Sequence, residues 1–258
     1  MIQHNWLILV GGGLISGILA GLLGIGGGTI LVPLLVTLGY APVKAVATSS
    51  LAILITATSG TVQNWRMGYI NTQRVIYLGI PAILTTQIGV YLASLFPPYL
   101  LLAAFGLLLL LNIYLVDLRK RITATEGQPR QQFNPLVSKI GTGGAAGLLA
   151  GLFGVGGGVI MVPLQILLLG ETIKVAIQTS LGVIVITAIS ATVGHALKGN
   201  VLFLDGVLLG GGGLLGAQLG TRYLPKLSDR IVSLTFRTML GILSIYIFWQ
   251  AWRSYQSF

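Results

Sequence analysis

Long apolar runs broken by short polar or basic connectors make up almost the whole chain. In the first half they cover 6–23, 29–39, 45–62, 74–95 and 99–118. In the second half they cover 140–153, 159–170, 176–194, 204–221 and 231–250. Crossing about 30 Å of hydrocarbon takes about 20 helical residues, so most of these runs predict membrane-spanning helices. The pieces at 29–39 and 159–170 are too short to cross. Apolar residues make up 54% of the chain and charged residues only 8%, with a mean hydropathy of +0.91, which no water-soluble domain of 258 residues would show. The pattern therefore predicts an all-α polytopic membrane protein.

The ten runs are two sets of five. Residues 20–34 read AGLLGIGGGTILVPL and residues 150–164 read AGLFGVGGGVIMVPL, identical at 11 of 15 positions at an offset of 130. In each copy an apolar helix runs into four glycines, Gly24, Gly26, Gly27 and Gly28 or Gly154, Gly156, Gly157 and Gly158. A short segment containing Pro33 or Pro163 follows. Glycine accepts backbone angles that a helix interior excludes and leaves amides uncovered, so each copy predicts a helix broken in two. Within a membrane such a break is tolerated only where it is buried in protein or lines a cavity. Two breaks at matching places are the sequence signature of a transporter's binding site. Upstream, Gly13, Gly17 and Gly21 match Gly143, Gly147 and Gly151, a small-residue groove suited to close helix packing.

The duplication extends to polar residues. Thr48-Ser49-Ser50 matches Gln178-Thr179-Ser180 at the start of the next helix in each half. These side chains can cap that helix, but three in a row exceed what one cap needs and are also candidate ligand-binding groups. At an offset of 131, Asn64 matches His195 and Gln87 matches Gln218. Buried amides and imidazoles in apolar helices are costly unless bonded, so these four are either interhelical bonds or site lining. His195 is also a candidate carrier of a coupled proton. Asp117, Asp205 and Arg237, close to segment ends, are expected to reach water.

Residues 1–118 and 140–258 thus form two repeats, each with four long segments and one short helix after the glycines. Between them, 119–139 is polar and basic and reads as an exposed linker. If each short helix turns back, the repeats have inverted topology. With the linker inside, that arrangement puts 12 of the 15 Lys and Arg inside, against 9 for parallel halves. The positive-inside rule therefore favours inverted repeats in a cytoplasmic membrane. The first residues lack a basic region and a cleavage signal, and no cleaved signal peptide is expected.

The net charge of +10 follows from these connectors and reads as topology and lipid contact rather than nucleic-acid binding. With no cysteine, disulfides and thiolate chemistry are excluded. No paired carboxylates, metal-ligand motif or nucleophile elbow appears, so neither an enzyme nor a metal or other cofactor is expected. GIGGGT lacks the third glycine of a dinucleotide loop and no strand precedes it. What remains is an uncharged polar centre: Gly26, Gly27, Gly28, Gly156, Gly157 and Gly158 at helix starts, with the hydroxyls and amide of 48–50 and 178–180. Free amides at a helix N-terminus suit a small oxyanion. A carrier for a small anion, with a proton or other ion as possible co-substrate, fits this centre. An anion channel, or a carrier for another oxyanion or a carboxylate, would use the same donors.

The doubled GxGGGxxxVP motif, Gly24 to Pro33 and Gly154 to Pro163, each followed by a TS or SS-L helix start, resembles the TauE/SafE family. That family is also called the sulfite exporter or toluenesulfonate uptake family. The resemblance covers essentially the whole chain. It implies a multi-pass carrier of the inner membrane for sulfite or small organosulfur anions, driven by ion gradients, with Gly26 to Gly28, Pro33, Gly156 to Gly158 and Pro163 as motif residues.

Overall fold

The computed structural model describes residues 6–124 and 134–256. Ten α-helices follow in order: α1 (Trp6–Leu23), α2 (Gly28–Thr37), α3 (Pro42–Arg66), α4 (Thr72–Ala93), α5 (Pro98–Ala124), α6 (Pro135–Phe153), α7 (Gly158–Leu168), α8 (Ile173–Leu197), α9 (Phe203–Tyr223) and α10 (Asp229–Gln256). Eight are long and apolar enough to cross a membrane, and α2 and α7 are the two short ones. Asn71, Asn134 and Thr172 cap α4, α6 and α8 with their side chains, fixing where three spans begin. At the linker, α5 continues to Ala124 and α6 starts at Pro135, so helix enters 119–139 from both ends. Residues 125–133 lie outside the described residues.

Glycine contacts give the helix directions. Methyl groups placed on Gly13 and Gly17 would come within 2.0 Å of Leu209 O and 2.3 Å of Gly213 O, and one on Gly21 within 2.7 Å of Thr221 N. Helices α1 and α9 therefore run the same way with their backbones in direct contact, which is what the small-residue groove is for. Gly143, Gly147 and Gly151 meet Leu78, Ala82 and Thr86 in the same manner, so α6 runs with α4. Leu51 and Ile55 pack on Gly206 and Gly210, aligning α3 with α9. Ile186 on Gly79 and Lys198 Nζ on Ser94 Oγ, at 2.7 Å, align α8 with α4. Because α3 and α4 are joined by a five-residue turn, the set α1, α3, α9 opposes the set α4, α6, α8.

Between α1 and α3 the chain turns back. Gly27 sits against Ser16 and Ala20, whereas Leu34 sits against Gly12, so α2 returns along α1 toward the end where α1 began. In the other half α7 starts beside Ala146, the counterpart of Ser16. Helices α5 and α10 pair antiparallel through Gly106 on Phe248 and Tyr99 on Tyr255. One end of the bundle then carries Arg66, Arg74, Lys139, Lys174, Arg222, Lys226 and Arg230, with Arg237 further along α10 from that end, and the other carries Lys44, Lys198 and Arg253. Aromatic rings stand under the cations at both ends: Lys139 over Tyr77 and Lys226 over Tyr223 at the basic one, Lys198 over Tyr91 and Arg253 over Trp249 at the other. Two such belts are expected of a chain with two membrane interfaces.

Candidate functional site

The two glycine breaks meet at the middle of the bundle. A methyl group on Gly28 would lie 2.2 Å from Gly154 O, and one on Gly158 would lie 2.1 Å from Gly24 O. The contact is reciprocal: each short helix starts against the other half's break. Ile53 and Ile184, each near the middle of a 25-residue helix, pack on both breaks, which places the crossing at mid-depth. Gly26 and Gly27 have φ of 76° and 80°, and Gly156 and Gly157 have 73° and 76°, a left-handed conformation that glycine adopts without strain.

Helical bonding resumes only with Ile30 and Leu31, which donate to Gly27 O, and with Met161, which donates to Gly157 O. The amides of Gly28 and Thr29, and of Gly158 and Val159, therefore have no helical acceptor. Thr29 Oγ1 is buried in the first turn of α2 and has no hydrogen-bond partner among the described residues. Three carbonyls of the breaks accept from side chains. Ser16 Oγ donates to Gly27 O at 2.9 Å, Ser49 Oγ to Gly154 O at 2.8 Å and Thr187 Oγ1 to Gly156 O at 3.0 Å. Each short helix thus brings the positive end of its dipole to the crossing.

All six residues of 48–50 and 178–180 are buried. Besides its bond across the halves, Ser49 donates to Val46 O, as does Ser50 at 3.0 Å. Thr48 Oγ1 accepts from Leu202 N at 3.1 Å and so ties α3 to the residue that precedes α9. Ser180 Oγ donates to Ala176 O at 2.7 Å and accepts from Gln165 Nε2 at 3.1 Å. Gln165, buried in α7, carried no sequence signal, because its counterpart Leu35 is apolar.

Asn64 and His195 are fully buried. His195 Nε2 lies 3.1 Å from Gly151 O, and a carbonyl only accepts, so the proton is on Nε2. Neither amide atom of Asn64 has a hydrogen-bond partner among the described residues. Gln87 Nε2 donates to Ser190 O at 2.7 Å and to Ser190 Oγ at 2.8 Å, tying α4 to α8. Gln218, its counterpart, instead lines an open groove of about 400 Å³ between α3 and α9. The four residues are thus not brought together with the crossing.

Asp205 does not reach water as expected from its place near a segment end. It is 2% exposed in the first turn of α9, and Tyr40 OH, from the connector after α2, donates to Oδ2 at 3.0 Å. Burial, the hydrogen bond to Asp205 and that carboxylate's charge push the Tyr40 hydroxyl up to about 12, so it remains a donor. At the opposite end, Glu171 follows Gly170 as Tyr40 follows Gly39, and pairs with Arg74 at 2.9 Å. Arg74 is the counterpart of Asp205 at offset 131. Each exit loop is thus tied to the third long helix of the other half, by a hydrogen bond at one end and an ion pair at the other.

Comparison with known proteins agrees with this architecture. The profile of the family described as "Sulfite exporter TauE/SafE" matches residues 9–247. "Probable membrane transporter protein YunE" of Bacillus subtilis is 28% identical over 268 residues, covering 95% of this chain and 98% of the relative. A "Probable membrane transporter protein" of Xylella fastidiosa is 27% identical, covering 98% and 99%. "Probable membrane transporter protein YjnA" of Bacillus subtilis is 28% identical, covering 84% and 90%. No solved structure matches the chain. Doubled glycine breaks, eight spans and the match along nearly the whole length lead to one conclusion: the chain belongs to the TauE/SafE family of membrane transport proteins.

Proposed function

We propose that the protein is a secondary carrier that moves sulfite or a related small sulfur oxyanion across the cytoplasmic membrane. The anion binds where the two glycine breaks cross, between repeats 1–118 and 140–258 of inverted topology, with the 119–139 linker and the basic end inside. The reciprocal contact of Gly28 with Gly154 O and of Gly158 with Gly24 O carries this reading. It brings two helix starts with uncommitted amides together at mid-depth, beside the free hydroxyl of Thr29. No lysine or arginine takes part in these contacts, so the anion is held by dipoles and can be released. The name of the family points to the same class of ligand. Opposite helix directions of α1 and α6, and the return of α2 along α1, support the inverted arrangement.

The test is exchange of labelled sulfite in proteoliposomes, with thiosulfate, sulfate and alkanesulfonates as competitors. A carrier gives saturable exchange, accelerated by substrate on the far side. Flux that rises linearly with concentration would assign the protein to the channels. Thr29→Val copies Val159 of the other half and keeps the side-chain shape. Loss of one hydrogen bond to a charged ligand costs about 1.5–3 kcal/mol, roughly ten- to a hundred-fold in affinity. Sulfite binding unchanged in Thr29→Val would move the site away from the start of α2.

A further inference from the structure

The groove between α3 and α9 extends along α3 from Leu54 to Arg66, which is at the basic end. Its volume is about 400 Å³, and Ser59, Gln63, Arg66 and Gln218 line it together with apolar side chains that include Leu54 and Leu214. Among the described residues no carboxylate lines it. Ser59 Oγ is committed to Leu214 O at 2.8 Å. Among the described residues, no partner engages the side chains of Gln63, Gln218 or Arg66. Three uncommitted donor groups therefore converge on one cavity.

At the same place in the other half a glutamine lies across the frame. At offset 131, Ser59, Gln63, Arg66, Leu214 and Gln218 correspond to Ser190, Gly194, Leu197, Ile83 and Gln87. The frame is shared, since Ser190 Oγ donates to Ile83 O at 3.1 Å as Ser59 does to Leu214 O. Yet Gln87 folds down onto Ser190, and its Oε1 lies 2.6 Å from where a side chain on Gly194 would begin. Gln63 stands in that space in the first half. Gln218 then has no room to lie down as Gln87 does, and the groove stays open. The difference is written in the sequence, as Gln63 for Gly194 and Arg66 for Leu197.

We propose that this groove is a second anion site, a cytoplasmic antechamber that binds a small oxyanion before it passes to the crossing, with no equivalent at the other face. The inference rests on the carrier reading above. Arg66 supplies charge and a fork of N–H donors, and the two glutamines supply amide donors on either side. A phospholipid phosphate offers the same oxyanion chemistry as sulfite, and the test separates the two sources.

Sulfite uptake is measured in inside-out and right-side-out membrane vesicles, which read the cytoplasmic and outer faces. Arg66→Gln is expected to raise the half-saturating sulfite concentration about ten-fold at the cytoplasmic face and to leave the outer face unchanged. Gln63→Gly copies the other half, lets Gln218 close over Ser59, and should have the same one-sided effect without touching the charge. No change at the cytoplasmic face, or equal changes at both faces, would overturn the antechamber. The comparison is repeated in liposomes of phosphatidylcholine with and without phosphatidylglycerol. An Arg66→Gln effect that vanishes without phosphatidylglycerol assigns the groove to lipid headgroups and overturns it too. Failure of the parent protein to move sulfite in any vesicle would instead reject the carrier reading, and the antechamber with it.

Discussion

Alanine at Gly28 and at Gly158 tests the crossing of the two breaks without a backbone confound. Both residues are the first of their helices and neither has positive φ, so alanine is compatible with the backbone. In a helix interior it would even gain up to about 1 kcal/mol over glycine. The contact works the other way. On Gly28 the new methyl would stand 2.2 Å from Gly154 O and 2.6 Å from Val155 Cα, and on Gly158 2.1 Å from Gly24 O and 3.0 Å from Ile25 Cα. Ordinary contact is about 3.5–4.0 Å, so backbone of the opposite half must retreat by more than an ångström. Overpacking of this kind costs about 1–3 kcal/mol, and backbone yields less readily than a side-chain tip. Net destabilisation of about 1–2 kcal/mol is expected in each variant, with transport lost more steeply because the helix starts separate. Gly11→Ala and Gly141→Ala are matched controls, a repeat-equivalent pair with nothing within 4 Å of the added carbon. Thermal unfolding of the detergent-purified proteins should rank the controls at or above the parent and both crossing variants below it. Crossing variants as stable and as active as the controls would refute the contact.

Other consequences follow from the hydrogen bonds. Ser49→Ala leaves Gly154 O without its donor from α3, and should cost about 1–3 kcal/mol in unfolding while Ser50→Ala, which removes only a bond within the same helix, costs less. Equal effects would mean that the bond across the halves does not form. Tyr40→Phe removes a donor from a buried carboxylate and should destabilise by about 1.5–3 kcal/mol, with Asp205→Asn in that background restoring part of the loss. Additive losses would show the two groups to be uncoupled. His195→Leu deprives Gly151 O of its partner, whereas His195→Asn keeps a donor and should melt closer to the parent. A pH profile of transport unchanged in His195→Asn assigns the imidazole to that bond alone.

What could be read from the sequence was whatever repeats or is periodic. The eight long spans and both short helices sit where the apolar runs put them, and the glycine breaks separate α1 from α2 and α6 from α7. Gly13, Gly17 and Gly21 announced close helix packing because spacing by four marks one face of a helix. The partner of that face, α9 from the other half, was not legible, since nothing local in 9–23 refers to 209–221. The same limit hid the crossing itself. Ser49 looked like a ligand donor, and its acceptor is Gly154 O, 105 residues away. Asp205 looked water-exposed because segment ends normally are, yet a connector from the first half lays Tyr40 over it. Gln87 and Gln218 were indistinguishable as equivalent amides. Their fates diverge through a third position, Gly194 against Gln63, which matters only once the helices are packed.

The claim on which all of this depends is that equivalent positions of the two halves lie on opposite sides of the membrane. Tyr69 follows α3 and Asn200 follows α8, and the two correspond at offset 131. The chain has no cysteine, so Tyr69→Cys and Asn200→Cys each carry a single thiol. In sealed right-side-out vesicles, a membrane-impermeant maleimide is expected to label Asn200→Cys and to reach Tyr69→Cys only after the membrane is permeabilised. Labelling of both variants from the same side would contradict the inverted halves, and with them a site made where two oppositely directed helix breaks cross.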